Sequence, residues 1–207
     1  EPPPPPPLTV RDDFETPRAE PVPGARLFVE GKGDSVAVTD QTAAGGKRSL
    51  KVQDASRLQH RFNPHFFYTP FHTGGTSRCA FDLRIEPGTV LFSEWRDDAS
   101  PYRVGPSLWV QGGKLSVAGK PLVDLPSGVW VRVEVTAGLG QASTGTWDLS
   151  VAVPGQEPKH FRKLANGTPQ WRKLDWLGFC STATEQSVFY LDNIEISNSE
   201  AETDEGG

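Results

Sequence analysis

Methionine is absent from the 207-residue chain, and cysteine occurs only twice. Cys79 and Cys180 each lie within an apolar strand pattern, so one disulfide between distant strands and two reduced core thiols are both open alternatives. The chain has no initiator methionine and begins with Glu1 and six prolines, Pro2 to Pro7. We therefore expect a processed, exported protein from which a secretion signal has been removed.

Long apolar runs and clustered basic residues are also lacking. No stretch of about eighteen apolar residues occurs, and the sequence therefore predicts no membrane span. The formal net charge is -5, which argues against nucleic acid as a partner because phosphate binding requires a clustered basic surface. Neither a Gly-x-Ser-x-Gly elbow nor a phosphate-binding loop is present.

Turn residues and short apolar alternations are abundant instead. Gly occurs 21 times and Pro 19 times, so we expect frequent turns and little helix. The clearest alternation is Thr76–Ile85, in which Cys79, Phe81 and Leu83 share one face. On the order of a dozen such segments, Arg57–Phe62 among them, predict an all-β, two-sheet antiparallel β-sandwich.

The composition divides the chain into three parts. Residues 1–7 form a Pro-rich extended arm that cannot donate backbone hydrogen bonds, which makes it a tether or spacer. Residues 8–197 carry the strand pattern and form the β-sandwich domain. Residues 198–207 are acidic and poor in apolar side chains, so we expect a disordered tail. The arm also suggests self-assembly, because it can reach a neighbouring copy of the chain.

Several segments, taken in order, resemble those of a known superfamily. They are Gly46–Val52, Cys79–Ile85, Gly128–Val135, Gly145–Val153 and Phe189–Ile196. In this order they resemble the concanavalin A-like lectin/glucanase sandwich, which includes laminin-G-like modules and polysaccharide-active bacterial enzymes. The resemblance implies a jelly roll and a role with carbohydrate, although a fold alone does not determine activity.

Acidic residues lie near both ends of the predicted domain. Asp12, Asp13 and Glu15 lie in or beside the first strand candidate, and Asp192 and Asn193 interrupt the last one. Because first and last strands of a sandwich are often neighbours, we expect the two clusters to meet. Jelly-roll carbohydrate-binding modules, which the chain resembles at its ends, have structural calcium there, and Ca2+ prefers oxygen ligands. We predict Ca2+ bound by these five residues; the alternative is that Asp192 caps backbone amides without metal.

Charged and aromatic side chains are concentrated between positions 94 and 109. The predicted ligand contacts are Glu94, Trp95, Arg96, Tyr102, Arg103 and Trp109. Aromatic rings stack on the apolar faces of sugars, and Arg, Asp or Glu form paired hydrogen bonds with hydroxyls or, for Arg, with uronate carboxylates. In a strand, Glu94 and Arg96 share one face, opposite Trp95. A simple ion pair on a solvated face is the alternative interpretation.

Histidines are concentrated in a second segment, which contains His60, Arg61, His65 and Tyr68. If the protein is an enzyme, these are the predicted catalytic residues, with His and Tyr as proton shuttles and Arg as the neutraliser of a uronate carboxylate. The alternative is an aromatic-rich loop that packs over a sheet edge. The Glu-x-Asp-x-x-Glu strand of glycosidases of this class is absent, since the carboxylates after Glu94 have the wrong spacing.

These observations together predict an extracellular, non-catalytic, lectin-like domain that binds a polysaccharide or another glycan. The first alternative is a polysaccharide lyase or hydrolase of the same fold. The second is a structural subunit of an extracellular assembly. All three interpretations imply a secreted, cell-surface or periplasmic location.

Overall fold

Strands dominate the structure, a computed structural model that describes residues 1–201. Fifteen strands form two antiparallel sheets, and the described chain has one short 3-10 turn at Gly140–Ala142. This architecture confirms the predicted all-β, two-sheet sandwich. Within the same range, no helix is long and apolar enough to cross a membrane.

The first sheet contains eight strands. Seven follow one another in space as β3 (Ser35–Thr39), β4 (Ser49–Asp54), β15 (Ser187–Asn198), β6 (Thr76–Ile85), β11 (Trp130–Gly138), β12 (Thr146–Ala152) and β13 (Lys159–Ala165). The eighth, β1 (Val10–Asp12), pairs with the later half of β15, where Val10 lies opposite Ile196. The first and last strands of the domain are therefore neighbours, as predicted.

The second sheet contains seven strands. In spatial order they are β2 (Ala25–Phe28), β5 (His65–Tyr68), β14 (Trp176–Ser181), β7 (Val90–Arg96), β8 (Val104–Gln111), β9 (Lys114–Val117) and β10 (Lys120–Asp124). The turn between β8 and β9 has φ of 59° at Gly112 and 71° at Gly113. Glycine adopts this left-handed region without steric cost, which favours a two-residue hairpin.

The apolar core lies between the two sheets and follows the period-two pattern of the strands. The largest fully buried side chains are Trp95, Trp147, Trp171, Tyr68, Phe14, Phe66, Phe81, Phe179, Phe189, Leu50, Leu83 and Leu91. Burying a large apolar side chain contributes about 1.5–3 kcal/mol. This energy explains why each strand keeps its apolar residues on one face, and why a strand's outward residues are left available for other roles.

The two cysteines lie in different sheets, Cys79 in β6 and Cys180 in β14. Both are buried, and neither forms a disulfide. Burial raises the pKa of each thiol to about 12. The structure therefore matches the alternative with two reduced thiols.

The predicted strand over Arg57–Phe62 is wrong. This segment is a loop that leads into β5, and Arg57 has a φ of 63°. The carboxylate of Glu30 accepts hydrogen bonds from the backbone N–H groups of Gln59 at 2.7 Å and His60 at 3.0 Å. Because a side chain satisfies these amides, the segment requires no partner strand.

The ends of the chain continue from the first and last strands. Residues 1–7 are exposed and lie outside the strands, and the backbone N–H of Leu8 donates to the Pro70 carbonyl at 2.8 Å. β15 ends at Asn198, which is buried. Of the predicted acidic tail, residues 202–207 lie outside the described residues. The domain boundaries and the role of the arm in self-assembly stay predictions.

Candidate functional site

Two rows of side chains cross the outer face of the second sheet. Strand register places the first row at Phe28, His65, Cys180, Phe92, Trp109 and Ser116. The second row is Arg26, Phe67, Gly178, Glu94 and Ser107. With about 4.8 Å between neighbouring strands, the first row spans roughly 24 Å. We call this surface the aromatic face.

Large apolar side chains are exposed mainly here. Among the described residues, the exposed aromatic side chains are Phe28, Phe62, Tyr102 and Trp109, with 38–51% of their surface accessible. Phe92 stacks against Trp109 with ring centroids 4.7 Å apart, which supports the indole from one side. Exposed aromatic rings gathered on one face are typical of a ligand-binding surface.

Three neighbouring cavities lie along the aromatic face, and we call them together the groove. The first has a volume of 450 Å³, and the second, of 440 Å³, shares Arg61 and Thr182 with it. The third, of 310 Å³, shares Trp109 with the second. The side chains that line the first cavity include Arg61, Phe62, His65, Arg96, Tyr102 and Trp176.

Arg96 is held between two aromatic rings in the groove. Its Cζ lies 3.9 Å from the centre of the Trp176 ring and 4.2 Å from the centre of the Tyr102 ring. Its Nε donates to one oxygen of Glu94 at 2.6 Å, and the Ser107 hydroxyl donates to the other at 2.9 Å. Within residues 1–201, Nη1 and Nη2 of Arg96 have no hydrogen-bond partner. The outer edge of this guanidinium is therefore available to a ligand.

His65 lies in the same cavity, against aromatic rings. Phe28 stacks on the imidazole with centroids 4.7 Å apart, and Phe62 meets it edge-on at 5.5 Å. Burial, and then the positive charge of Arg96, lower the pKa of His65 from its ordinary value, against a smaller opposing effect of a backbone hydrogen bond with Phe62. The imidazole is therefore neutral at neutral pH, and it lies in one cavity with two arginines, Arg61 and Arg96.

The structure brings residues of both predicted sets together. Those that line the groove are Arg61, His65, Glu94, Arg96, Tyr102 and Trp109. β5 and β7 lie far apart in the sequence, but both pair with β14. This shared neighbour is the reason that the histidine segment and the Glu94–Arg96 segment form a single site.

Two predicted site residues lie in the core instead. Trp95 is 2% exposed and Tyr68 is fully buried. Trp95 alternates with Glu94 and Arg96, which lie on the outer face, and therefore points inward. Burial raises the pKa of the Tyr68 phenol, whose hydroxyl has no partner among the described residues. Neither side chain reaches the groove, so we remove both from the candidate site.

His60 and Arg103 lie at the margin of the site. His60 is exposed and stacks on Phe62 with centroids 4.9 Å apart. The backbone N–H of Arg103 donates to Asp97 Oδ1 at 2.7 Å, and its guanidinium lies 3.8 Å from Asp97 Oδ2. These contacts stabilise the loop that carries Tyr102, which gives Arg103 a supporting position rather than a direct place in the groove.

The aromatic face also contains three residues that the sequence analysis did not predict as site residues: Trp176, Phe67 and Arg26. Trp176 lies opposite Arg96 in the strand register. Its ring folds over Gly178, where any Cβ would overlap with the indole. The sequence contains one signal of this arrangement, because Trp176 and Gly178 are two apart in a strand and therefore share a face. The contact of Trp176 with Arg96 depends on the pairing of β14 with β7, which no local sequence pattern predicts.

Two of the five predicted calcium ligands are satisfied by other groups. Both carboxylate oxygens of Asp12 accept hydrogen bonds from the Arg18 guanidinium at 2.9 Å. The side-chain amide of Asn193 donates to Asp82 Oδ2 at 2.8 Å. The Arg18 contacts occupy both oxygens of Asp12, whereas the Asn193 contact uses the amide nitrogen and fixes the orientation of that side chain.

Glu15 and Asp192 bind the same loop. Glu15 accepts from the backbone N–H groups of residues 47 and 48, and Asp192 accepts from those of residues 44 and 45. Asp192 is fully buried, and this burial raises its pKa to about 6. Asp13 accepts from the backbone N–H of Glu15 at 3.1 Å. In residues 1–201, no group of three or more His, Cys, Asp or Glu side chains is arranged to hold a metal ion, and the calcium site stays a prediction.

The outer face of the first sheet has a different character. Its charges pair with one another, with Arg78 Nε 2.8 Å from Glu134 and Arg132 Nη2 2.7 Å from Glu195. A cavity of 610 Å³ borders this sheet and is lined mainly by threonine, alanine and glycine. Trp147 is the one aromatic residue in its described lining, and it is 2% exposed. Among the described residues of this sheet's strands, no Phe, Tyr or Trp side chain is as exposed as the open rings of the groove.

Comparisons with known proteins agree on the fold. No protein-family model matches the sequence, and no curated protein matches it. An endo-β-1,4-glucuronan lyase from the fungus Trichoderma reesei has a TM-score of 0.61 at 12% identity, over 85% of this chain and 91% of that one. The cellulose induced protein Cip1 has a TM-score of 0.63 at 18% identity, over 91% of this chain and 96% of that one.

A third solved structure, the PL-14 alginate lyase from Aplysia kurodai, has a TM-score of 0.55 at 12% identity, over 79% of this chain and 87% of that one. Identities this low show a shared fold and leave activity open. The two antiparallel sheets, their neighbouring end strands and these similarities together show that the chain has the concanavalin A-like, jelly-roll β-sandwich fold.

Proposed function

We propose that the protein binds an acidic polysaccharide along the groove of the aromatic face. The observation that carries this proposal is the free edge of Arg96. A guanidinium binds a carboxylate through two parallel N–H···O bonds, and Nη1 and Nη2 of Arg96 are available for them. A uronate sugar offers such a carboxylate on each residue of the polymer.

The rest of the groove supports a sugar polymer as the ligand. Tyr102 and Trp109 are exposed rings at separate positions along it, and such rings stack on the apolar faces of sugars. Glu94 lies in the second row and can accept hydrogen bonds from hydroxyl groups. Arg61 adds a second positive charge beside Arg96. The first row of the aromatic face, at roughly 24 Å, is long enough to contact several linked sugars.

The similar folds agree with this ligand class. Two of them belong to proteins named as lyases of glucuronan and of alginate. These names describe those proteins, and they support a carbohydrate-related role for this chain without distinguishing binding from cleavage. Since long polysaccharides do not cross membranes, we also propose a secreted, cell-surface or periplasmic location.

Affinity gel electrophoresis tests the proposal. We expect alginate or glucuronan in the gel to retard the protein, and a neutral β-glucan to retard it less. Trp109→Ala should weaken the retardation, with a rise in Kd of about tenfold, or ~1.4 kcal/mol. Trp130→Ala, on the outer face of the first sheet, is the matched control and should migrate like wild type. Equal retardation of the two variants would contradict the proposal.

A uronate lyase is the second candidate function, and the neutral imidazole of His65 beside Arg61 and Arg96 favours it. In β-elimination a base removes the proton next to the carboxylate, the C–O bond to the leaving sugar breaks, and the departing oxygen takes a proton from Tyr102 or water. A guanidinium paired with the carboxylate stabilises the charge that develops. The product carries a carbon–carbon double bond.

Ultraviolet absorbance of that double bond distinguishes cleavage from binding. If the protein is a lyase, absorbance rises on incubation with glucuronan or alginate, and His65→Ala abolishes the rise while gel retardation persists. Retardation of wild-type protein without any rise in absorbance leaves binding as the function.

Structural calcium is a separate proposal, centred on Glu15 and Asp192. Both carboxylates accept hydrogen bonds from backbone N–H groups within residues 44–48, and the raised pKa of buried Asp192 indicates a carboxylate whose charge is poorly compensated. A cation there would compensate that charge and fasten the loop to β15. The residues that would hold it are these two carboxylates together with main-chain oxygens.

A further inference from the structure

We propose that Glu30 is a positioning residue that acts through Asn63 to hold His65 in the tautomer protonated at Nδ1, which leaves the Nε2 lone pair free for a ligand in the groove. The inference deepens the proposed function, because it assigns a chemical role to one atom of that site. It rests on two consecutive contacts between side chains, from Glu30 to Asn63 and from Asn63 to His65, which together span 35 positions of the sequence. Neither of these contacts requires a ligand to be present.

The first contact fixes Glu30. Its carboxylate accepts hydrogen bonds from the backbone N–H groups of Gln59 and His60 and from Nδ2 of Asn63, at 2.7, 3.0 and 2.9 Å. The side chain of Lys32 lies 3.7 Å from the same carboxylate. A carboxylate with this many donors is ionised and can only accept hydrogen bonds.

The second contact fixes the orientation of Asn63. An amide has one donor end and one acceptor end, and its orientation follows from its partners. The Glu30 carboxylate can pair only with the donor end, so Nδ2 faces Glu30 at 2.9 Å. The acceptor end, Oδ1, then faces Nδ1 of His65 at 2.8 Å. Asn63 is 6% exposed, so no solvent competes freely for either end.

The contact between Asn63 and His65 also fixes the proton on His65. Because Oδ1 of Asn63 can only accept, Nδ1 of His65 must donate, and a neutral imidazole that donates at Nδ1 accepts at Nε2. Within residues 1–201, the His65 ring has one side-chain hydrogen bond, at Nδ1, and a weaker backbone contact with Phe62, and Nε2 is not among the buried unpaired atoms. The lone pair at Nε2 is therefore accessible.

The surroundings of His65 keep this arrangement in place. Phe28 and Phe67 stack beside the ring at 4.7 and 6.2 Å, with interplanar angles of 6° and 10°. The charged groups that line its cavity are Arg61 and Arg96, and the charge of Arg96 disfavours a second proton on the imidazole. An acceptor in a cavity with two cations suits a sugar hydroxyl beside a bound carboxylate, or the proton that a lyase removes.

Another histidine, the buried His72, carries its proton on the other ring nitrogen and provides an internal reference. Nε2 of His72 lies 2.7 Å from the Leu8 carbonyl, and its Nδ1 lies 2.7 Å from the Ser77 hydroxyl. A carbonyl can only accept, so His72 is protonated at Nε2. The amide of Asn198 donates to the same Ser77 hydroxyl at 3.0 Å, which leaves that hydroxyl free to donate to His72. One protein thus contains both tautomers.

Nitrogen-15 NMR of the full, uniformly labelled chain at neutral pH tests the inference, because it separates the two tautomers by the shifts of the ring nitrogens. In wild type we expect His65 protonated at Nδ1 and His72 at Nε2. Glu30→Ala frees the Asn63 amide to rotate, and Asn63→Ala removes the acceptor, so in both variants the Nε2–H form should appear at His65. Asn63→Asp retains an acceptor and should retain the Nδ1–H form.

The His72 signal reports whether each variant is folded, since it should not move. An Nε2–H tautomer at His65 in wild type would overturn the inference, and so would an unchanged Nδ1–H tautomer in folded Glu30→Ala and Asn63→Ala. The measurement involves no polysaccharide. Failure of gel retardation would therefore count against the proposed function alone. An unexpected tautomer would count only against the proposed positioning of His65 by Glu30 and Asn63.

Discussion

The guanidinium carbon of Arg96 lies 3.9 Å from the centre of the Trp176 ring, and the two residues face each other across β7 and β14. A guanidinium that is stacked on a ring and bound to the Glu94 carboxylate has lost most of its side-chain freedom before a ligand arrives. Because less entropy is lost on binding, such a group binds a carboxylate more tightly than a free arginine would.

Arg96→Lys should therefore weaken binding although it preserves the charge. Lysine cannot form two parallel hydrogen bonds with a carboxylate. We expect Kd for alginate or glucuronan, measured by isothermal titration calorimetry, to rise about tenfold. Arg162→Lys, an exposed change in β13, is the matched control. If the two variants lose the same affinity, net charge rather than the geometry of Arg96 determines binding.

Gly178→Ala should displace the Trp176 ring, because a Cβ at position 178 overlaps with the indole. Overpacking of this kind costs about 1–3 kcal/mol, which corresponds to a melting temperature lower by roughly 2–10 °C in a domain of this size. Binding of acidic polysaccharide should weaken as well.

A double-mutant cycle provides the control for the steric explanation. In a Trp176→Ala background the clash is absent, so Gly178→Ala should change the melting temperature little. An equal loss of stability in both backgrounds would show that position 178 is sensitive for a reason unrelated to Trp176.

Acid should loosen the loop that precedes β5. A hydrogen bond from Asn63 is the largest of the effects that lower the pKa of Glu30 to about 2, and the backbone amides of Gln59 and His60 add to it. The folded pKa lies below the ordinary value of 4.5. The contribution of this group to stability is therefore fully present above about pH 4.5 and is lost as the pH falls through 4.5 toward 2.

Hydrogen exchange at the Gln59 and His60 amides between pH 6 and pH 3 measures this effect. After correction for the intrinsic pH dependence of exchange, we expect protection to decrease in wild type as acid is added. Glu30→Gln should have lower protection and no such decrease. Glu157→Gln, a change at an exposed glutamate, should behave like wild type. Constant protection in wild type down to pH 3 would contradict the assignment.

Calcium should stabilise the chain if Glu15 and Asp192 hold it. A ligand at about one hundred times its Kd adds about 2.7 kcal/mol to the free energy of unfolding, or roughly 5–10 °C in melting temperature. We expect CaCl2 to raise the melting temperature relative to EDTA in wild type, and this difference to vanish in Glu15→Gln. Identical melting in CaCl2 and EDTA would refute the proposal.

Much of the candidate site follows from strand periodicity. Alternation alone places Glu94 and Arg96 on one face and Trp95 on the other, and the structure confirms that separation. The same rule, applied to β5, would have removed Tyr68 from the site, since Phe67 and Tyr68 must lie on opposite faces. An aromatic-rich loop is one alternative interpretation of that segment, but His65–Tyr68 forms a strand.

The contacts that link Glu30, Asn63 and His65 could not be predicted from strand periodicity. Glu30 follows β2, and the loop it binds precedes β5, so the contact exists because these two strands pair in the sheet. Similarly, Asp192 is conspicuous in the sequence as a carboxylate within an apolar strand, but its partners at residues 44 and 45 come from a distant loop.

The sequence by itself determined the class of the fold, the inward and outward residues of most strands, and the kinds of side chain available for a ligand. These are local properties, because period two and turn chemistry depend only on near neighbours along the chain. The tertiary structure decided which outward residues meet. β5 and β7 both pair with β14, and that long-range pairing, stabilised by burial of the shared core, places His65, Arg96 and Trp176 in one groove.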